Sequence, residues 1–375
     1  MSSIYIHIPF CKQKCIYCNF FSVANTTRKT EYLQALQKEI ALTQDFLPDK
    51  EISTLYFGGG TPSLCTASEL DMIIQTLIKY HHFNNSLELT LEANPEQLNK
   101  EYLHSLKEIG INRLSIGVQS FQDPILKLLK RQHTAEEARQ AVLHAAECGF
   151  DNISIDLIYD IAYRKETQWR EDLQTALSLP ISHLSAYSLT VEENTLLAKN
   201  IREGTPFLPS EELTERDFNI LQSMTSAAHF NQYEISNFAK NGRISRHNFS
   251  YWNDTPYLGL GASAHSYNGT LRKWNQANLI HYIKDIQEGR TQYNFEVLNE
   301  NQKYNEFVLL HLRISEGIKI EEVRNRFGEE KLNYLLKRLA NVKLEHYTQR
   351  NGSIILTNAG KLFADAVALE LFYAE

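Results

Sequence analysis

The chain has 375 residues, of which 43% are hydrophobic and 22% are charged, and its formal net charge is -7. This length accommodates one large domain and a smaller one, and the negative balance excludes a general electrostatic attraction to nucleic acid or to an anionic membrane. The chain has no secretory leader pattern and no apolar run near 18 residues, and it has only five cysteines, so we expect a cytoplasmic protein.

Short apolar runs alternate with amphipathic stretches in the first half of the chain, which predicts repeated strand–helix units around a parallel sheet. The predicted strands are residues 4–8, 53–59, 87–93, 113–118, 152–159 and 183–189. Two intervening helices have capping-box starts, at Thr66 with Glu69 and at Thr134 with Glu137. Six such units form an open barrel, in which functional residues lie at the carboxyl ends of the strands.

Three cysteines, Cys11, Cys15 and Cys18, follow the first predicted strand. A structural zinc ion needs four ligands, and no second Cys or His pair lies near this triplet. Three thiolates on a cluster of four irons and four sulfides (4Fe-4S) leave one iron open to a small ligand. Buried cysteines also serve as small hydrophobic side chains, but three thiols in one short loop favour the cluster.

This triplet, with Tyr17 before its third cysteine, resembles the signature of the radical S-adenosylmethionine (SAM) superfamily. The stretches YFGGGTPS, RLSIGVQSF, YEISNFAKNG and HNFSYW extend the resemblance over nearly the whole chain, to the branch that contains anaerobic coproporphyrinogen dehydrogenases and HemW-type haem chaperones. The resemblance implies an α/β fold, a partial (β/α)6 radical-SAM-type TIM barrel that holds the cluster and SAM. It also implies SAM contacts from Tyr5, Tyr17, Gly59, Gly60, Thr61, Glu92, Gln119, Arg131 and Asp156.

The HNFSYW stretch begins at His247 and is similar to a stretch of the haem-chaperone branch. Imidazole binds haem iron and aromatic side chains pack against a porphyrin, so the resemblance implies haem contact near His247. The same residues also suit an ordinary packed turn, and both interpretations stay open at this point.

We expect three segments: a cluster and SAM barrel at 1–205, a barrel-completing region with HNFSYW at 206–298, and a C-terminal domain at 299–375. The middle segment includes a predicted helix at 213–230 and a further strand at 233–239. The last segment is mostly helical and closes with two strand-like runs joined at Asn351-Gly352, which is typical of a winged-helix-like module. Acidic residues on its helices favour a lid or packing role over nucleic-acid binding.

The expected function is a haem chaperone that binds the cluster, SAM and haem and transfers haem to an acceptor protein, soluble or membrane-associated. The alternative is an oxygen-independent coproporphyrinogen III dehydrogenase, which oxidatively decarboxylates two propionates. That branch has a fourth cysteine where this chain has Phe20, which favours the chaperone. A second departure replaces a Gly-Leu-Pro-Gly turn of the family with Asp160-Ile161-Ala162-Tyr163 and changes the backbone shapes open to this loop. The oligomeric state and the number of SAM molecules stay open.

Overall fold

The structure is a computed structural model that describes residues 2–204, 209–291 and 293–374. The strands of the main sheet are Ser2–Ile8 (β1), Glu51–Gly59 (β2), His82–Ala93 (β3), Arg113–Gln119 (β4), Ile153–Tyr159 (β5), His183–Ser188 (β6), Asn231–Gln232 (β7), Asn237–Ala239 (β8), Tyr257–Leu260 (β9), His265–Tyr267 (β10), Leu271–Asn275 (β11) and Tyr293–Val297 (β12). Within the described residues these strands pair in the order β12-β11-β10-β9-β1-β2-β3-β4-β5-β6-β8-β7.

The helices lie mainly between these strands and after them. They are Lys29–Leu42 (α1), Ala67–Ile78 (α2), Lys100–Glu108 (α3), Asp123–Leu128 (α4), Ala135–Glu147 (α5), Glu166–Ser178 (α6), Leu196–Arg202 (α7), Glu211–Ala227 (α8), Arg246–Trp252 (α9), Leu279–Gln287 (α10), Glu300–Arg313 (α11), Ile320–Leu339 (α12), Asn358–Lys361 (α13) and Ala364–Leu371 (α14). None of the helices in the described ranges is long and apolar enough to span a membrane.

The six predicted strands are confirmed as β1 to β6, which pair in parallel in chain order. Both predicted capping boxes are formed, at the starts of α2 and α5. These six strand–helix units form the α/β barrel wall that the apolar runs predicted.

The further strand predicted at 233–239 is wrong in its extent, because only residues 237–239 of this stretch form a strand, β8, and β7 ends before it at Gln232. Glu234 lies between them, and its carboxylate accepts hydrogen bonds from the backbone N–H of Ser236 and the side-chain amide of Asn237. These bonds close a turn between the two strands, in which Glu234 forms an isolated β-bridge with Ile314.

Alternate residues of β1 face opposite sides of the sheet. Ile4, Ile6 and Ile8 are fully buried in the main core with residues of the outer helices. Tyr5 and His7 therefore face the barrel interior, and we call the side of the sheet that carries them the interior face.

Two short extensions widen the sheet beyond the six units. At one edge β8 pairs antiparallel with β6, and β7 pairs with β8. At the other edge β9 runs parallel to β1, and β10, β11 and β12 follow as an antiparallel meander. The extension from β9 to β12 continues the interior face past β1.

The C-terminal segment has its own apolar core, formed by residues of α11, α12, α14 and a small sheet. The strands of this sheet are Ile318–Lys319 (β13), Tyr347–Arg350 (β14) and Ser353–Leu356 (β15). The predicted hairpin is present, with φ of 52° at Asn351 and 75° at Gly352. The predicted boundary between residues 205 and 206 lies outside the described residues.

Candidate functional site

The three cysteines lie on a loop that begins where β1 ends. The loop folds back on itself, because the Cys11 N–H donates to the Val23 carbonyl at 3.1 Å and the Cys18 N–H donates to the Cys15 carbonyl at 3.3 Å. Cys11 is buried, Cys15 and Cys18 are half-buried, and none forms a disulfide. The loop thus presents three free thiols at the carboxyl end of the barrel.

Burial raises the pKa of the Cys11 and Cys18 thiols, and the neighbouring Cys15 raises both pKa values further. A raised pKa favours the protonated thiol, whereas a positively charged metal centre favours the thiolate, because metals bind the thiolate form. In the described residues no group of three or more His, Cys, Asp and Glu side chains is arranged around a single metal ion. A 4Fe-4S cluster does not need that arrangement, since each thiolate binds a different iron.

The glycine run at the end of β2, residues 58–60, packs directly on the cysteine loop. A Cβ on Gly60 would lie 2.7 Å from the carbonyl oxygen of Phe10, and the Gly60 N–H donates to Ile8 at 2.8 Å. Gly59 has a φ of 109°, and a Cβ there would lie 2.6 Å from the His7 ring. Larger residues would push the two loops apart, so the glycines bring backbone amides beside the cysteines.

Thr61 and Arg131 contact the thiols themselves. The Thr61 hydroxyl donates to Cys11 Sγ at 3.4 Å, and Arg131 Nη1 lies 3.5 Å from Cys15 Sγ. Arg131 Nη2 also donates to Asn94 Oδ1 at 2.8 Å and to the Gly117 carbonyl at 2.6 Å. The guanidinium is therefore fixed between the cysteine loop and the end of β4, where a cleft lies beside Cys15.

Glu92 lies at the end of β3, in the middle of a polar group inside the barrel. Its carboxylate accepts from the Tyr56 hydroxyl at 2.7 Å and from the Gly59 N–H at 3.2 Å. Burial raises its pKa to about 7, although the hydrogen bond from Tyr56 acts in the opposite direction. Tyr5 lies beside Glu92, because a Cβ on Gly58 would contact both Tyr5 and Glu92.

Asp156, in β5, is a second half-buried carboxyl that faces the interior. Burial raises its pKa to about 6, against the effect of hydrogen bonds from Ser185 and Ser115, the latter at 3.3 Å. Gln119 ends β4 with a φ of 69°, a left-handed conformation that is uncommon for this residue type. Two interior carboxyls with raised pKa values make this part of the barrel a candidate binding site.

The sequence-predicted residues thus fall into two adjoining groups. Tyr17, Thr61 and Arg131 surround the cysteines, while Tyr5, Glu92 and Asp156 lie in the barrel interior, joined to the first group by the glycine run. The sequence analysis missed Tyr56 and Asn94, which hold Glu92 and Arg131. Tyr56 lies just before the glycine run and Asn94 just after β3, and these positions in the sequence could have identified both residues as members of the site.

His247 lies away from the cysteines, on α9, which closes the amino-terminal end of the barrel. The backbone N–H of His247 donates to the carboxylate of Glu88, in the middle of β3, at 2.9 Å. The side chain is 1% exposed, and both ring nitrogens are hydrogen-bonded, Nδ1 to the Thr54 hydroxyl at 2.8 Å and Nε2 to the Tyr251 hydroxyl at 2.9 Å. An iron bond from His247 would require the loss of one of these hydrogen bonds.

Asp160 occupies the turn after β5 that differs from the family pattern. It has a φ of 68°, and its buried carboxylate accepts from Ser188 Oγ at 2.9 Å and from Thr214 Oγ1 at 2.8 Å. The carboxylate thus links the turn to β6 and α8. These hydrogen bonds stabilise a left-handed backbone conformation that glycine adopts more readily than aspartate.

The cysteine loop at the mouth of a six-unit barrel defines the class: this is a radical SAM protein. The family model described as Radical SAM superfamily matches residues 5–175. The protein named Heme chaperone HemW from Bacillus subtilis (strain 168) is 36% identical over 374 residues, 98% of each chain. The HemW of Mycobacterium tuberculosis (strain ATCC 25618 / H37Rv) is 31% identical and covers 98% of this chain and 94% of its own. The chain belongs to the family of these HemW proteins.

A solved structure gives the corresponding likeness in three dimensions. Coproporphyrinogen III oxidase (HemN) from Escherichia coli, described as a radical SAM enzyme, superimposes with a TM-score of 0.86 and 23% sequence identity over 99% of this chain and 89% of that one. This likeness establishes the shared fold of the two proteins.

Proposed function

We propose that this protein is a radical-SAM-type haem chaperone, which binds haem and transfers it to an acceptor protein. The observation that carries the proposal is the near full-length likeness to several proteins named as haem chaperones, at 36% identity for the Bacillus subtilis protein. The cysteine loop, the glycine run and the buried carboxyls of the barrel support the cofactor part of the proposal.

Membership of the radical SAM superfamily implies a 4Fe-4S cluster and SAM. In our proposal Cys11, Cys15 and Cys18 hold the cluster, because their thiols are free and lie on one loop. When bound, cluster and SAM supply one-electron chemistry, and the protein supplies orientation and exclusion of water.

The SAM pocket that we propose joins the two groups of interior residues. Arg131 is placed to pair with a carboxylate, and Glu92 and Asp156 to accept from ammonium or hydroxyl groups. The glycine run lies beside these groups, because the Gly59 N–H donates to the Glu92 carboxylate. The remaining members of this pocket are Tyr5, Tyr17, Gly59, Gly60, Thr61 and Gln119.

Haem binding without porphyrinogen oxidation is the distinguishing part of the proposal. Phe20 stands where the dehydrogenase branch has a fourth cysteine, and its side chain is 66% exposed at the end of the cysteine loop. A phenyl ring cannot ligate iron, so this position offers no further thiolate. We place the protein in the cytoplasm and propose no nucleic-acid partner, in line with the net charge of -7.

The proposal is tested by titrating the cluster-reconstituted full chain with ferric haem under anaerobic conditions. We expect saturable binding, followed by loss of haem when haem-depleted membranes or a haem-depleted soluble extract is added. The two additions distinguish a membrane-associated acceptor from a soluble one. Absence of saturable haem binding would refute the proposal.

A further inference from the structure

The haem iron needs a ligand that the sequence motif alone does not supply. The imidazole of His247 is buried, and both of its nitrogens are engaged, so α9 presents no free lone pair. The sheet extension from β9 to β12 carries another imidazole on its interior face, that of His265.

We propose that His265, the first residue of β10, is the axial ligand of the haem iron, and that haem lies against the interior face of the β9–β12 extension. This inference rests on the proposed haem-chaperone function and deepens it. The bond is a ligand exchange, in which an imidazole lone pair displaces a weakly bound water or hydroxide from ferric iron, and no electron is transferred.

Sheet register places His265 on the interior face. Tyr257 is the register partner of Ser3, so it faces the same side as Tyr5 and His7. Tyr267 is opposite Tyr257 in an antiparallel pair, and opposite residues of such a pair lie on one face. His265, two residues before Tyr267, therefore also faces the interior side.

The His265 side chain is exposed, and its ring has a fixed orientation. The ring stacks on Trp274, its cross-strand partner, with centroids 5.6 Å apart and an interplanar angle of 16°. The main chain of His265 packs so closely over Gly259 that a Cβ on that glycine would overlap the His265 carbonyl group. Stacking on Trp274 thus limits rotation of the His265 ring, and the close packing on Gly259 limits displacement of β10.

Within the described residues no hydrogen bond engages either ring nitrogen of His265, in contrast to His247. Desolvation by the neighbouring groups, with a contribution from the Arg272 charge, lowers the pKa of His265. A neutral imidazole with a free lone pair is the form that binds iron.

Aromatic side chains continue the surface on both sides of His265. Tyr267 lies 6.4 Å from Tyr257, and Tyr257 lies 4.8 Å from Tyr251 of the HNFSYW stretch, measured between ring centroids. This row of rings joins the haem-branch motif on α9 to His265. It accounts for a link between HNFSYW and haem without an iron bond from His247.

The test is a ferric-haem titration of the full chain and three variants, followed in the Soret region. His265→Gly should bind haem about tenfold more weakly and lose the histidine-ligated spectrum. Added imidazole should restore that spectrum, which a purely structural defect would not allow. His281→Ala removes an exposed imidazole from α10 and should behave as wild type.

His247→Gln keeps one donor and one acceptor in the side chain, and we expect it to retain the wild-type spectrum. A wild-type spectrum in His265→Gly, or a loss of the histidine-ligated spectrum in folded His247→Gln alone, would overturn the assignment of His265. Equal losses in His265→Gly and His281→Ala would also overturn it, because the loss would then not be specific to His265. Failure of the wild-type chain to bind haem would instead refute the proposed function.

Discussion

Replacing Arg131 with alanine should weaken SAM binding while the cluster is retained. The guanidinium is held by the Gly117 carbonyl at 2.6 Å and by Asn94 at 2.8 Å, so it reaches its place beside Cys15 before any ligand binds. A charge-assisted hydrogen bond contributes about 1.5 to 3 kcal/mol. Since 1.4 kcal/mol corresponds to a tenfold change, we expect affinity to fall by about one to two orders of magnitude.

The assay is calorimetric titration of SAM into anaerobically reconstituted protein, with iron content measured on the same sample. Lys127→Ala is the matched control, because it removes one positive charge from an exposed position on α4, close to Arg131 in the chain. The control should bind SAM as the wild type does. Unchanged SAM affinity in Arg131→Ala with a full complement of iron would exclude Arg131 from the pocket.

Three further predictions follow from the same contacts. Anaerobic reconstitution should load about four irons per chain, and replacing Cys11, Cys15 and Cys18 together with alanine should abolish loading; equal iron in that variant would disprove the cluster assignment. Because the pKa values of Glu92 and Asp156 are raised in the fold, the folded state binds more protons than the unfolded chain. The free energy of unfolding should therefore fall as the pH rises from about 4 to 7. The double variant Glu92→Gln, Asp156→Asn should reduce this pH dependence in denaturant titrations. A slope that is unchanged in the double variant would show that other groups cause it. Asp160→Ala should destabilise the fold by about 1 to 3 kcal/mol, because the hydroxyls of Ser188 and Thr214 lose their acceptor; an unfolding midpoint equal to that of the wild type would contradict this role.

The barrel wall was predictable because most positions of its strands are buried, so that each strand appears in the sequence as a short, mostly apolar run. The strands of the sheet extensions are shorter, from two residues in β7 to five in β12, and their pairing depends on partners far away in the sequence. No local pattern indicates that β9 lies beside β1, yet this pairing creates the surface that carries His265.

The cysteine loop and the glycine run were predictable from residue type and spacing, since their chemistry is local. The surroundings of His247 were not, because its hydrogen bonds run to Thr54 and Tyr251 and its burial depends on α9 closing the barrel. The motif predicted haem contact, and that contact stays a prediction, but the sequence could not indicate that both imidazole nitrogens are occupied.

We expect this chain to bind haem and not to oxidise coproporphyrinogen. The most direct measurement incubates the reconstituted, reduced protein with SAM and coproporphyrinogen III, follows porphyrinogen products by mass spectrometry, and titrates the same preparation with haem. We predict saturable haem binding and no protoporphyrinogen IX. Formation of protoporphyrinogen IX in a SAM-dependent reaction would contradict the account and identify the protein as a dehydrogenase.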